Sequence, residues 1–268
     1  MTNKDNNIGV KPDIFITGVM KGGTTILHDY ICTHPQIAAG KQKEIHYFSL
    51  FYSKGEHWYE EHFSNVPKNC RAIDASPTYF DTTNTAQIPR LINAYTSDPR
   101  LILITRDPVI RAISQFIHLK VTTAAPALKD VSIDEFFAQD IDDAYRQSTT
   151  MGYYLNLVLS FSLYTRKFLT YRQEFGKHQL LVLDNEALRK KPQDVMEKVF
   201  TFLDVDYVHS NMFGIEKHSN GSALNKISLE SYNKLAEFLY PDYKRYCHQA
   251  GIPYNEAKYD DEREARIG

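Results

Sequence analysis

Residues 13–30 read DIFITGVMKGGTTILHDY, and the fold turns on them. Ile14-Phe15-Ile16-Thr17 is apolar and partly β-branched, which predicts a short buried strand. Gly18-Val19-Met20-Lys21-Gly22-Gly23-Thr24-Thr25 follows, then an apolar helical start, Ile26-Leu27, with Tyr30 and Ile31 one turn on. Strand, glycine loop and helix in that order make a cradle for an anion. Successive backbone N–H groups face the loop, and the helix N-terminus adds partial positive charge. Lys21 adds a mobile full charge, and Thr24 and Thr25 add hydroxyls at the first helical turn. A phosphate-bearing ligand is the natural occupant. Taken singly, Gly22-Gly23 also reads as an ordinary turn, and Thr24 or Thr25 as an ordinary N-cap. The combination favours the cradle.

The loop departs from the ATP-binding pattern GxxxxGK[ST]. Gly18 and Gly23 keep its spacing, but Thr24 stands where the lysine belongs, and the lysine lies inside the loop at 21.

Composition narrows the classes. A chain of 268 residues with 43% apolar content holds one large α/β domain or two small ones. A net charge of -2 makes no global case for DNA or RNA binding. Cys32, Cys70 and Cys247 form no CxxC pair, so neither a disulfide framework nor a metal site is expected. The first residues, MTNKDNNIGVKPD, are polar, and no stretch reaches transmembrane length. The expectation is a cytoplasmic protein with no membrane or nucleic-acid partner. The 18 Tyr and 15 Phe suit both a core and a pocket for a ring-bearing ligand.

Along the chain, 1–12 reads as a flexible lead-in, 13–254 as one domain and 255–268 as a charged tail. In Ala38–Leu50, Glu44 and His46 are two apart and share a face if the segment is extended. They then suit proton transfer, or equally a solvated charged face. Gly55–Phe63 is a short aromatic helix or turn. Arg71–Asp74 is a strand leading into Ala75-Ser76-Pro77-Thr78-Tyr79-Phe80. Asn84–Tyr95 is a helix with Asn84 as its cap. Leu101–Ile104, LILI, is a central parallel strand. It ends at Arg106, with Asp107 as cap and Pro108 as first helical residue. Arg106 therefore lies at a strand's carboxyl end, where open α/β sheets place ligands. It can hold a phosphate bidentately, with Ser114 as a neutral donor, or pair with a carboxylate. Ile133–Tyr145 reads as a helix, and Tyr153–Phe175 as one helix or two broken near Ser160–Ser162. Gln179–Leu183 is a strand and Pro192–Leu203 a helix. Lys217-His218-Ser219-Asn220-Gly221 forms a basic loop. Leu229–Leu239 is a core helix, and Pro241 restarts another. The order predicts an α/β, P-loop-like three-layer fold, with a mainly parallel sheet and helices on both faces.

At this point the pieces resemble a family. IFITGVMKGGTTILHDYICTHPQI, KEIHYF, DASPTYF, LILITRDPVIRAISQF and QLLVLDNEALRKKPQDVMEKVFTFLDV are similar to segments of PAPS-dependent sulfotransferases. They resemble especially the bacterial branch that is similar to the sulfotransferase domains of heparan sulfate-modifying enzymes. The resemblance runs from about Asp13 to Ala250. It implies that Lys21, Gly22, Gly23, Thr24 and Thr25 hold the 5′-phosphosulfate of 3′-phosphoadenylyl sulfate (PAPS), and that Arg106 and Ser114 hold its 3′-phosphate. It implies Glu44 as catalytic base with His46 beside it, Lys21 as a catalytic cation, and Tyr164 on the adenosine side. Lys217, Ser219, Asn220 and Gly221 correspond to a late cofactor-closing loop. Phe48, Ser76 and Tyr79 join Glu44 and His46 as acceptor-side candidates. The product would be PAP, and no metal is required. Ala75 stands where heparan-type enzymes often have lysine, and neither a signal-anchor nor a late disulfide is apparent. The expected acceptor is therefore a small hydroxylated or aromatic metabolite. A P-loop small-molecule kinase using Asp74 or Asp107, and a nucleotide-binding scaffold without turnover, are the alternatives.

Overall fold

Strand β1, Ile14–Gly18, is buried along its whole length. A strand buried in this way is stable only where both faces of the sheet are covered. In the computed structural model, which describes residues 9–81, 86–122, 125–141, 146, 149–214 and 227–254, β1 is the middle of five strands. The others are β2 (Ile37–Ala39), β3 (Arg71–Ala75), β4 (Arg100–Thr105) and β5 (Leu180–Asp184). Their order is β2-β3-β1-β4-β5, and every pairing is parallel. The helices are α1 (Thr24–Ile31), α2 (Gly55–Glu61), α3 (Ile88–Tyr95), α4 (Pro108–Val121), α5 (Ile133–Ala138), α6 (Thr150–Ser162), α7 (Thr165–Glu174), α8 (Asn185–Lys190), α9 (Pro192–Phe202) and α10 (Leu229–Ala250).

The chain divides into two compact units, Met1–Thr105 with Leu169–Lys217, and Arg106–Phe168 with His218–Gly268. The first contains the sheet. Its strands alternate with period two. Ile14, Ile16, Ile73, Ile102 and Ile104 pack on one face with Leu27 and Ile31 of α1 and Met196 and Val199 of α9. Phe15 faces the other way and meets Phe48 edge-on at 5.9 Å. Phe48 then contacts Tyr59 of α2, Tyr79 and Tyr95 of α3. Both faces are thus covered, one by aliphatic side chains and one by rings.

The second unit has its own core, in which Ile113 and Phe116 of α4 pack with Phe136, Leu155, Leu159, Leu235 and Leu239. Asp107 caps α4 as expected, accepting the Ile110 N–H at 2.9 Å. Arg111 is wholly buried. Its guanidinium donates to the Val158 carbonyl and the Ser162 hydroxyl, each at 2.7 Å, and to Gln115 Oε1 at 2.7 Å. This ties α4 to α6.

Three expectations are corrected. Helix α10 does not restart at Pro241 but runs through it. A mid-helix proline costs about 3 kcal/mol. Here buried Tyr232, Leu235 and Leu239 before it, and Tyr243 and Tyr246 after it, continue one apolar stripe, and that packing outweighs the cost. Helix α5 ends at Ala138 rather than Tyr145, because Gln139 leaves helical geometry at ψ 151 and Lys234 takes the Ala138 and Gln139 carbonyls at 2.7 and 2.6 Å. Helix α3 begins at Ile88 with Gln87 as its cap; the expected cap, Asn84, lies outside the described residues. The alternative of two helices broken near Ser160–Ser162 holds: α6 ends at Ser162 and α7 begins at Thr165, with the Asp242 carboxylate accepting the Tyr164 and Thr165 N–H groups at 2.7 and 3.2 Å.

Arg111→Ala should lower the unfolding free energy by about 2–4 kcal/mol, since it orphans buried partners of a charged donor. Urea unfolding measures it. A change within error of zero would mean that the guanidinium network does not hold α4 to α6.

Candidate active site

Gly22 and Gly23 shape the loop between β1 and α1. A Cβ on Gly22 would come within 2.7 Å of the Ile104 carbonyl oxygen, so only glycine lets the loop lie against β4. Gly23 has φ 104, a conformation that side chains disfavour. The loop is anchored by the Val19 N–H on the Ile104 carbonyl at 2.8 Å and the Gly22 N–H on the Val19 carbonyl at 2.8 Å. The Met20 N–H donates to the Asp81 carboxylate. Lys21 sits at the crest with φ 65. Neither threonine caps α1. Gly23 is the N-cap, it supplies no capping side chain, and the first turn holds no acid. A helix start left in this state directs unsatisfied N–H groups outward.

The segment carrying Glu44 and His46 is not extended. Both residues adopt left-handed backbone, φ 61 and 58. That geometry still brings their side chains together, with His46 Nε2 3.9 Å from Glu44 Oε2. Lys43, to which the sequence alone assigned no role, joins the two halves. Its ammonium donates to Thr25 Oγ1 and lies 3.7 Å from Glu44 Oε1. Its position directly before Glu44 in KQKEIH was the available signal.

DASPTYF holds this segment from behind. The His46 N–H donates to Ser76 Oγ at 3.0 Å, and Ser76 Oγ donates to Asp74 Oδ1 at 2.8 Å. Tyr59 and Tyr79 donate to Asp74 Oδ2 at 2.7 and 2.6 Å. His46 Nδ1 shares a 2.8 Å hydrogen bond with Thr78 Oγ1. Burial pushes the Asp74 carboxyl above its ordinary value, and the three hydroxyl donors offset part of that. Burial, with the neighbouring Asp74 charge, also raises the Tyr59 and Tyr79 hydroxyls. Phe48, Ser76 and Tyr79 are 3%, 0% and 0% exposed. They stand in the packing behind Glu44 and His46, whereas the Glu44 side chain is 45% exposed.

In the second unit, Arg106 directly follows β4. Its carbonyl accepts the buried Tyr164 hydroxyl at 2.9 Å, so the two residues named for the nucleoside end are neighbours. Ser114 is buried on α4. Lys217, Ser219, Asn220 and Gly221 lie outside the described residues.

Residues 11–245 match the family model described as the sulfotransferase domain. The chain belongs to the sulfotransferase family. This sulfotransferase-family chain is 43% identical over 108 residues to membrane-associated sulfotransferase kil1 of Dictyostelium discoideum, covering 39% of this chain and 22% of that protein. It is 28% identical over 193 residues to mouse heparan sulfate glucosamine 3-O-sulfotransferase 3B1, covering 72% of this chain and 46% of that protein. The chain thus spans less than half the length of these curated relatives. Among solved structures, a sulfotransferase from Alicyclobacillus acidocaldarius superposes with TM-score 0.69 at 24% identity, over 91% of this chain and 98% of that one. Mouse sulfotransferase SULT7A1 complexed with PAP gives 0.57 at 16% identity, over 91% and 92%. Both share the fold, and the kinase alternative gains no support. No helix among the described residues is long and apolar enough to cross a membrane.

Because burial raises Asp74 in the fold, its native value lies above the unfolded one, 3.8. Its contribution to stability is then fully present below the unfolded value and is lost as pH rises through the native one. The stability of wild type minus that of Asp74→Asn should therefore be larger at about pH 4 than at about pH 7. Urea unfolding at both pH values checks this. A difference that grew with pH would mean that Tyr59, Tyr79 and Ser76 stabilise the anion beyond its desolvation.

Proposed function

We propose that the protein transfers a sulfuryl group from PAPS to a hydroxyl or amine of a small acceptor, with Glu44 as general base. The observation that carries this reading is the link from the glycine loop to Glu44: Lys43 donates to Thr25 of α1 and lies 3.7 Å from the Glu44 carboxylate. An anion-binding loop and an exposed carboxylate therefore stand side by side in one unit.

The residues present fit the donor. The uncapped start of α1, the side-chain-free surface of Gly22 and Gly23, and Lys21 would hold the 5′-phosphosulfate. Arg106 and Ser114 would hold the 3′-phosphate, with Tyr164 toward the adenosine. PAPS, when bound, supplies an activated sulfuryl group: its sulfur–oxygen bond to the 5′-phosphate breaks as a bond to the acceptor oxygen or nitrogen forms, and PAP leaves. Glu44 takes the acceptor's proton. His46, held at Nδ1 by Thr78 and at its N–H by Ser76, keeps Nε2 toward Glu44 and orients it. Lys21 and the loop N–H groups stabilise the charge that grows on the departing phosphate. Preorganised donors of this kind are each worth about 3–4 kcal/mol at best.

The acceptor reading draws on the chain just beyond His46. Leu50, Phe51 and Tyr52 are large, apolar and exposed, and they lie in the turns that start with the Leu50 N–H on the His46 carbonyl. They favour an acceptor with an apolar or ring-bearing body over a long anionic glycan.

Glu44→Gln should lower turnover about 10²–10⁴-fold while leaving PAP affinity nearly unchanged. Product formation from labelled PAPS, beside calorimetric PAP binding, checks both. Weakened PAP binding with normal turnover at saturation would remove Glu44 from the role of base.

A further inference from the structure

Asn185 opens α8, one residue past the carboxyl end of β5. Its side chain has no local duty. Asp184 caps α8 by accepting the Ala187 N–H at 3.1 Å. Asn185 is only 7% exposed; its amide makes no hydrogen bond or ion pair among the described residues, and it is not among the fully enclosed polar groups, so its polar end still reaches the surface.

The amide is aimed at the phosphate loop. A Cβ built on Gly23 would lie 2.3 Å from Asn185 Nδ2 but 3.6 Å from its Cγ, so the nitrogen end meets the loop head-on. Gly23 must lack a side chain for two reasons, its φ of 104 and this amide. The position is also the uncapped start of α1, where backbone donors converge. A neutral amide donor beside unsatisfied backbone N–H groups suits an oxygen of a bound anion. It adds direction without adding charge.

We propose that Asn185 is a further donor-binding residue, giving an amide hydrogen bond to an oxygen of the 5′-phosphate group seated on the loop between β1 and α1. The inference rests on the proposed reading of that loop as the site of the 5′ end. It also predicts that a carboxylate here weakens binding: aspartate keeps the shape but replaces the donor with a negative charge facing an anion.

The test compares two ligands by calorimetry, PAP and adenosine 3′-phosphate, which lacks the 5′-phosphate. In wild type, PAP should bind the tighter. In Asn185→Asp, PAP affinity should fall about 10–100-fold, as expected for losing a hydrogen bond to a charged group, while adenosine 3′-phosphate affinity changes less than about 2-fold. Thermal unfolding without ligand reports whether the variant is intact. Should the aspartate variant not fold, Asn185→Ala removes the donor alone, and a PAP-selective loss of about 5–20-fold is expected. Equal weakening of both ligands, or no weakening of PAP, overturns the role. If wild type itself does not distinguish the two ligands, the reading of the loop falls, and the inference falls with it.

Discussion

Helix α1 opens on Gly23, a residue with no side chain to offer, at the carboxyl end of a strand buried on both faces. That arrangement sets a constraint on everything around it. The loop must lie flat against β4, which Gly22 permits, and the helix must start without a cap. Unsatisfied N–H groups at a helix start attract anions, so the fold carries the electrostatics of the site in its backbone. Lys21, Lys43 and the threonine hydroxyls are then additions to a field that already exists.

The base side of the site depends on a different physical device. Glu44 and His46 lie in a loop with two left-handed residues, a conformation that is costly unless it is held. It is held by a set of hydrogen bonds that converges on Asp74: the His46 N–H donates to Ser76, and the hydroxyls of Ser76, Tyr59 and Tyr79 donate to the Asp74 carboxylate. Asp74 lies near the carboxyl end of β3, so these bonds connect the loop to the sheet. The rings packed on Phe15 and Phe48 enclose them. A buried carboxylate with each oxygen engaged is costly in isolation but specifies one geometry for what it holds.

Much of this was legible in the chain itself. The β1 loop and LILI announced themselves because buried parallel strands are continuous apolar runs and glycine punctuates them. Asp107-Pro108 announced α4 because capping chemistry is local. What was not legible depended on distant partners. Strand β2 is three residues long and exists only through pairing with β3. Pro241 reads as a helix break until the stripe from Tyr232 to Tyr246 is seen to pack as one. Glu44 and His46 were readable as a pair, but through the wrong backbone, since nothing in KEIHYF announces left-handed residues. Lys43 became visible only when the loop folded beside Thr25. Asn185, just past the Gln179–Leu183 strand, carried no signal of its own, because its relation to Gly23 is made only when β5 and β1 join one sheet.

The central claim is that the loop binds the 5′ end of an adenosine 3′,5′-bisphosphate rather than the phosphates of a metal-bound triphosphate. Calorimetric titration with PAP, run beside ADP and ATP with and without magnesium, tests it most directly. Tight binding of PAP that does not depend on metal, with weak binding of ADP and ATP, is the predicted result. Preferential binding of ATP with magnesium would contradict the account and require new roles for Lys21, Lys43 and Glu44.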